Sequence, residues 1–356
     1  MNAIPHTISP SAKSVSIVVN GSGAPTVADI TTGSPICSGT AMRTCTVSIS
    51  APVGNDTFAI TVYDGPNATG NQLGSSTLTA MVSGPNFTVT ATVDANVGSI
   101  SVALTPTAIN AAGMQMATFT VTGKDPDGNV ITGPGNFQPA VSVSSSDAAF
   151  VPSSTSVTAP NSPVTIVHKD TTCASSAMIT ASATGVASQS ATLTLLGIID
   201  GTFDQGLTCW KQTVVSGGSF SGYPRFGANS NDPCVPSQAG NPAGFVDAPG
   251  GADGYLSQTI TVPGGTPTLS FLTWNNLDPT TVTVSVVNAQ GVETVLDTYN
   301  PPPVQTSSAT CTGNVPITKS YSLAQFASQT VTLRLRVTSR TGFNGTIANF
   351  DNVAVQ

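Results

Sequence analysis

The side chains able to do chemistry are few in this chain of 356 residues: 17 Asp and Glu together, two His, six Cys and ten Lys and Arg. A serine hydrolase needs a histidine base beside its nucleophile. His6 lies in the N-terminal tail, His168 lies in an apolar strand-like run, and no G-x-S-x-G turn is present, so that arrangement has no base. Glycoside hydrolysis uses two carboxyl groups in one cleft, but the only Glu, Glu293, sits in "NAQGVETVL", which reads as a solvent-facing hairpin. The expectation is a chain that is not an enzyme.

Metal chemistry has two candidates. "DPDGN" places Asp125, Asp127 and Asn129 at the first three ligand positions of a calcium loop, yet Val130 stands where glycine is required and Asn136 where a bidentate Glu is required. A hairpin turn is expected there. "GIIDGTFDQGLTCW", residues 197–210, brings together Asp200, Asp204, Cys209 and Trp210, with Asp200 read as the turn residue of an Asp-Gly pair.

Ligand chemistry rests on aromatic side chains outside the apolar alternation. Tyr223, Arg225 and Phe226 occur in the Gly-, Ser- and Asn-rich run "SFSGYPRFGANSNDPC", where an aromatic has no periodic reason to be buried. Trp274 is followed by Asn275, Asn276 and Asp278 but also continues the strand "TLSFLTW", so it reads either as a platform or as core; Trp210 has the same two readings. Arg334 and Arg336 alternate with Leu333, Leu335 and Val337, which sets both on one strand face, either solvated or in a groove able to hold carboxylated sugars.

These residues need strands to position them. In "TFAITVY", Phe58, Ile60 and Val62 share one face; in "FTVTATV", Phe87, Val89, Ala91 and Val93 do; in "SISVAL", Ile100, Val102 and Leu104 do. Turn-rich stretches separate the runs at spacings typical of β-sandwiches. The expected class is all-β, with tandem immunoglobulin-like sandwiches and a C-terminal jelly roll: an arm over 1–13, then domains over 14–106, 107–196 and 197–356. Short junctions predict a semi-rigid rod.

Only 8% of residues are charged and the net charge is −7, with no basic cluster larger than Arg334 and Arg336, so nucleic acid is not an expected partner. The longest apolar run, "LTLLGII", is far short of the ~20 residues that cross a bilayer, so no membrane insertion is expected. The first residues, "MNAIPHTISPSAKS", do not read as a signal peptide; the expected chain is one whose leader was removed, or a piece of a longer one. The six cysteines include no C-x-x-C pair and point to disulfides. Cys37 and Cys45 could staple a hairpin around "SGTAMRT". A second pair is expected in the last third, with Cys209 and Cys234 as candidates and Cys311 open. Cys173 reads as a buried thiol or a small core residue.

Three resemblances add to this reading. "VTGKDPDGNVITG" and "MITASATGVAS" resemble the bacterial immunoglobulin-like domains of invasin-type surface proteins, which implies a spacer or adhesive module. "APVGNDTFAITVYDGPNATGNQLGSSTLTA" resembles a repeat found beside such domains and implies no activity. "DGTFDQGLTCW", "GYLSQTITVPGGTPTLSFLTW", "SYSLAQFASQTVTLRLRV" and "IANFDNVAV" together resemble the galactose-binding-like jelly rolls of carbohydrate-binding modules. Asp204 replaces the usual Glu of that pattern, and "FASQ" replaces "YAGQ". The resemblance implies glycan binding and a structural calcium shared by Asp204 and Asp351. The combined expectation is a secreted or surface-attached adhesion protein that binds glycan. The alternatives are a filament or coat subunit that self-associates by strand-edge pairing, and an accessory region of a secreted hydrolase.

Overall fold

A computed structural model describes residues 9–39, 43–112, 116–133, 135–169, 171–229, 242–275, 280–302, 316–339 and 347–356. The described residues form β-strands with two single 3-10 turns, in three successive units.

The first unit is one six-stranded sheet, ordered Phe137–Gln138, Asp94–Asn96, Gln72–Val82, Gly54–Tyr63, Ser14–Val19, Thr26–Asp29. Alternation works as expected in its centre, where Phe58 and Val62 are buried beside Val15, Ile17 and Leu73. The Cys37–Cys45 disulfide closes a two-stranded ladder in which these cysteines are directly paired. Two expectations fail here. Residues 87–93 carry no strand and Phe87 is 40% exposed, because alternation favours an extended chain without supplying a ladder partner. The boundary is also misplaced: the Ser99–Thr105 strand pairs with Met116–Lys124, and Val97, Ile100 and Leu104 lie in the core of the second unit.

The second unit packs Phe150–Pro152, Val164–His168, Met116–Lys124 and Ser99–Thr105 against Ser156–Val157, Val141–Ser145, Ser176–Ala183, Val186–Leu196 and Ala108–Asn110. This order matches the A-B-E-D sheet of an immunoglobulin sandwich, facing its C-F-G sheet. Phe119, Phe150, Ile166, Ile179 and Leu193 are fully buried between the layers. Phe150 meets the His168 ring edge-on at 5.1 Å, which makes His168 a packing residue.

The "DPDGN" stretch is a turn, and it also docks the two units. Asp125 is 3% exposed, and its Oδ1 accepts hydrogen bonds from the backbone N–H of Asp127 (3.0 Å) and Asn129 (2.8 Å), while Gly128 takes the left-handed φ of 85°. Its Oδ2 accepts from Ser9 Oγ at 2.5 Å, and Asn129 Nδ2 donates to Ser11 Oγ at 3.0 Å. Phe137–Gln138 runs parallel to Asp94–Asn96 and extends the first sheet from the second unit. The units share a sheet.

The third unit is a jelly roll of two antiparallel five-stranded sheets. The front sheet runs Lys211–Ser216, Asp253–Thr261, Thr330–Ser339, Thr280–Val287, Glu293–Tyr299; the back sheet runs Arg225–Asn229, Ala243–Asp247, Ile347–Val355, Thr268–Asn275, Ile317–Ser322. Leu256, Val284, Leu333 and Leu335 from the front face Val246, Leu269, Phe271 and Phe350 from the back, all at 0–1% exposure. Asp297 ties the strand edges together: its Oδ2 accepts Lys319 Nζ at 3.0 Å and Tyr321 OH at 2.8 Å, and the Lys319 ammonium sits 3.9 Å from the Tyr299 ring centre. Burial works against ionisation of Asp297, but these two donors hold its carboxyl below the ordinary value.

A second disulfide corrects the cysteine assignment. Cys209 pairs with Cys173, joining the second unit to the opening stretch of the jelly roll, so Cys173 is not a free thiol. Cys234 and Cys311 lie outside the described residues. Sequence distance hid this pair, because the junction folds Ile198 into one core and Ile199 into the other and brings Cys209 back against the second unit. Cys209→Ser is expected to cost about 3 kcal/mol, given the 36-residue separation. Denaturant unfolding of the full chain checks this, and an unchanged midpoint would refute it.

Candidate binding face of the jelly roll

Because side chains alternate along a strand, every second residue of the front sheet points away from the core. With Leu256 and Ile260 inward, Tyr255, Ser257 and Thr259 face out; with Leu333, Leu335 and Val337 inward, Thr332, Arg334 and Arg336 face out. Register then sets these outward residues side by side: Tyr255 opposite Arg336, Ser257 opposite Arg334, and Ser285 on the other flank of Arg334.

The charges on this face are held in place. Arg336 Nε donates to Asp253 Oδ1 at 2.8 Å and its Nη2 donates to Asp253 Oδ2, a two-pronged pair that fixes the guanidinium plane. Arg334 Nη1 donates to Glu293 Oε2 at 3.1 Å, and its guanidinium carbon lies 4.9 Å from the Tyr255 ring centre. Ser285 Oγ donates to Glu293 Oε1 at 2.5 Å. A half-exposed phenol ring thus sits among two oriented guanidiniums, two carboxylates and several hydroxyls on a rigid sheet. Such a face can lay a ring of C–H bonds on Tyr255 and hydrogen-bond hydroxyls or carboxylates around it. Glu293 is a solvent-side strand residue, as its hairpin reading expects, with its oxygens taken by Arg334 and Ser285.

The expected aromatic site is arranged differently. Phe226 points inward and packs against the core, and Tyr223 is half-buried there with the Arg225 guanidinium 4.3 Å over its ring. Both rings are partly buried. Arg225 is exposed and stands opposite Asp247 across the strand pair; burial raises the Asp247 carboxyl pKa while Arg225 pulls it down. Trp274 is not a surface platform: it is 0% exposed, packed with Ala243 and Leu272 on the outward side of the back sheet, opposite in parity to Phe271. Trp210 is core, stacked on Phe203 at 5.1 Å with its indole N–H donating to the Asp200 carbonyl at 3.1 Å.

The two ends of the domain do meet. Val353 N donates to Gly201 O at 2.9 Å, which brings the opening stretch onto the last strand. Asp351 is 1% exposed: Oδ1 accepts the Asn352 N–H at 2.7 Å, and Oδ2 is buried with no hydrogen-bond partner among the described residues. Burial, with a smaller contribution from Asp204, pushes its pKa up to about 7 against the one Asn352 bond that lowers it. Asp204 is exposed and accepts from Thr202 Oγ1 at 2.8 Å. Among the described residues, no cluster of three or more His, Cys, Asp or Glu with metal-holding geometry forms.

The sequence set Arg334 and Arg336 on one strand face, either solvated or in a groove, and read Glu293 only as a solvent-facing hairpin residue; it did not single out Tyr255 or Asp253. The signal was present in "DGYLSQTIT", where Tyr255 alternates with Leu256 and Ile260; what the sequence did not give is which strands lie beside it.

Fold and face together define an all-β chain ending in a jelly roll that carries a polar, aromatic-centred outer face. No protein-family model matches the chain, and no curated protein matches it in sequence. Among solved structures, it is similar to the module TmCBM61 in complex with β-1,4-galactotriose, at 12% identity over 45% of this chain and 96% of that one, with a TM-score of 0.34. It is also similar to the K1 cleaved adhesin domain of Lys-gingipain from Porphyromonas gingivalis W83, at 12% identity over 45% and 96%, TM-score 0.33, and to a CBM4 structure, at 18% over 44% and 97%, TM-score 0.28. Likeness this distant transfers no ligand.

Proposed function

We propose that this chain is a non-catalytic extracellular binding protein whose jelly roll holds a glycan on the outer face of the front sheet. The observation that carries the reading is Tyr255 set beside Arg334 and Arg336, each guanidinium oriented by its own carboxylate. Rigid sheet positions and pre-paired charges lower the ordering cost of binding. The two disulfides fit an oxidising compartment, and the shared sheet with the second unit makes the first two domains a stalk. The invasin-type resemblance of the second unit supports adhesion as the role.

A glycan array probed with the full chain tests this. Tyr255→Ala is expected to weaken the parent's best glycan at least tenfold, the effect of losing a stacking anchor, with unchanged circular dichroism. No glycan bound by the parent, or undiminished binding by the variant, rejects the face. A glycan carrying carboxylates should also lose affinity in Arg334→Gln.

Calcium belongs to the same reading. The buried, unpartnered Oδ2 of Asp351, with Asp204 close enough to repel it, fits a cation that both carboxylates share with backbone carbonyls. Its role would be to fasten the last strand to the opening stretch.

A second reading has its own observation. Val214 (57% exposed) and Val215 (49%) lie on one edge strand of the front sheet, and Val295 (56%) lies on the opposite edge. Exposed apolar edges pair with other chains. Head-to-tail pairing of these edges would build a filament, which concentration-dependent light scattering detects; a monomer at all concentrations rejects it.

A further inference from the structure

The jelly roll is fastened to the second unit at two points. One is the chain itself: Gly197 takes a left-handed φ of 87°, Ile198 packs into the jelly-roll core, and Ile199 packs into the core of the second unit. The other is the Cys173–Cys209 disulfide, which ties the opening stretch of the jelly roll back to the second unit across a separation of 36 residues. Cys173 lies between the Val164–His168 and Ser176–Ala183 strands of the second unit. On the jelly-roll side, Gln258 Nε2 donates to Ile199 O at 2.8 Å and to Cys209 O at 3.1 Å, while its Oε1 accepts the Ile199 N–H at 2.8 Å. Cys209 is therefore held on the jelly roll and Cys173 on its neighbour. Two attachments suppress a swing that a single connection of a few residues would allow.

The two disulfides present a reductant with different targets. Cys173 is exposed, whereas Cys37, Cys45 and Cys209 are half-buried. Cys37 and Cys45 are directly paired in a two-stranded ladder with a separation of 8 residues, so opening that bond frees only a short loop and the ladder returns the sulfurs to each other. Opening Cys173–Cys209 frees one body to move against another, and the gain in freedom favours the dithiol form. Exposed disulfides are the labile ones.

We infer that Cys173–Cys209 is a reducible latch that sets the angle of the jelly roll on the first two units and is opened by an external dithiol. One thiolate of the dithiol attacks Cys173 Sγ, the S–S bond breaks, and Cys209 leaves as a thiolate that takes a proton. The second thiolate of the dithiol then displaces Cys173 from the mixed disulfide, so the protein gains two electrons and two protons and the reductant becomes a disulfide. The latch does not depend on the front sheet binding glycan.

Treatment of the full native chain with dithiothreitol at pH 8, followed by timed alkylation and peptide mapping, tests the chemistry, and small-angle X-ray scattering before and after tests the motion. Cys173 and Cys209 are expected to be alkylated at least about tenfold faster than Cys37 and Cys45, and the reduced chain to show a larger radius of gyration with unchanged far-ultraviolet circular dichroism. Cys173→Ser should scatter like the reduced parent before any dithiol is added and respond no further. Cys37→Ser should keep the profile of the oxidised parent until it is reduced. Release of Cys173–Cys209 no faster than Cys37–Cys45 overturns the inference, as does unchanged scattering once the bond is open, or expansion that appears only with loss of the dichroism. If Cys173→Ser does not fold, the mapping and scattering of the natively reduced parent decide.

Discussion

At pH 8 in the presence of a chelator, Asp351→Asn is expected to be more stable than the parent by about 4 kcal/mol, and the difference should vanish near pH 4. The sign follows from burial. The ordinary carboxyl value is 3.8 and burial lifts Asp351 to about 7, so the folded state holds a proton over that interval which the unfolded chain gives up. That contribution is fully present below pH 3.8 and is lost as pH rises through about 7. Asn keeps the shape and the neutral state at every pH, so the variant should lose the dependence. Calcium reverses the ranking: at pH 8 it should raise the melting temperature of the parent and leave Asp351→Asn unmoved. Thermal melts at pH 4 and pH 8, with chelator and with millimolar calcium, read both effects. A parent indifferent to calcium would sink the shared-ion proposal, and coincident pH profiles of parent and variant would sink the burial argument.

Gly201→Ala should be destabilising, by about 3 kcal/mol or a fall of roughly 6–12 °C in melting temperature. A Cβ on Gly201 would drive into the carbonyl oxygen of Val353, a backbone atom that cannot swing aside, and the hydrogen bond from Val353 N to Gly201 O would open with it. The damage spreads because Phe203, two residues on, is fully buried against Trp210 and lies over Gly244. Denaturant titration followed by the fluorescence of Trp210 and Trp274 measures the loss. A change below 0.5 kcal/mol, the range of ordinary surface substitutions, would show that the close approach of the two ends is not needed.

The same close approach shows where sequence reading reaches its limit. Alternation alone placed Leu333, Leu335 and Val337 inward and Arg334 and Arg336 outward, since a period of two is a local property of a strand. The Asx turn of Asp125 was equally local, as were the hairpin cysteines Cys37 and Cys45. Trp274 defeats the same logic: it lies one step out of phase with Phe271, on the outward side of its sheet, yet it is fully buried. Alternation assigns a face; it cannot say what covers that face.

What the sequence determined by itself is the β class and the division of each central strand into an apolar and a polar side. These follow from composition and from contacts a few residues apart. Only the tertiary structure decided that the Ser99–Thr105 strand belongs to the second core, that Cys173 joins Cys209, that Tyr255 and Asp253 flank Arg336, and that Asp351 is buried beneath an opening stretch 150 residues earlier in the chain. Each of these depends on which strand lies beside which. Strand neighbours are chosen by the joint packing of two whole sheets, and no local pattern carries that choice.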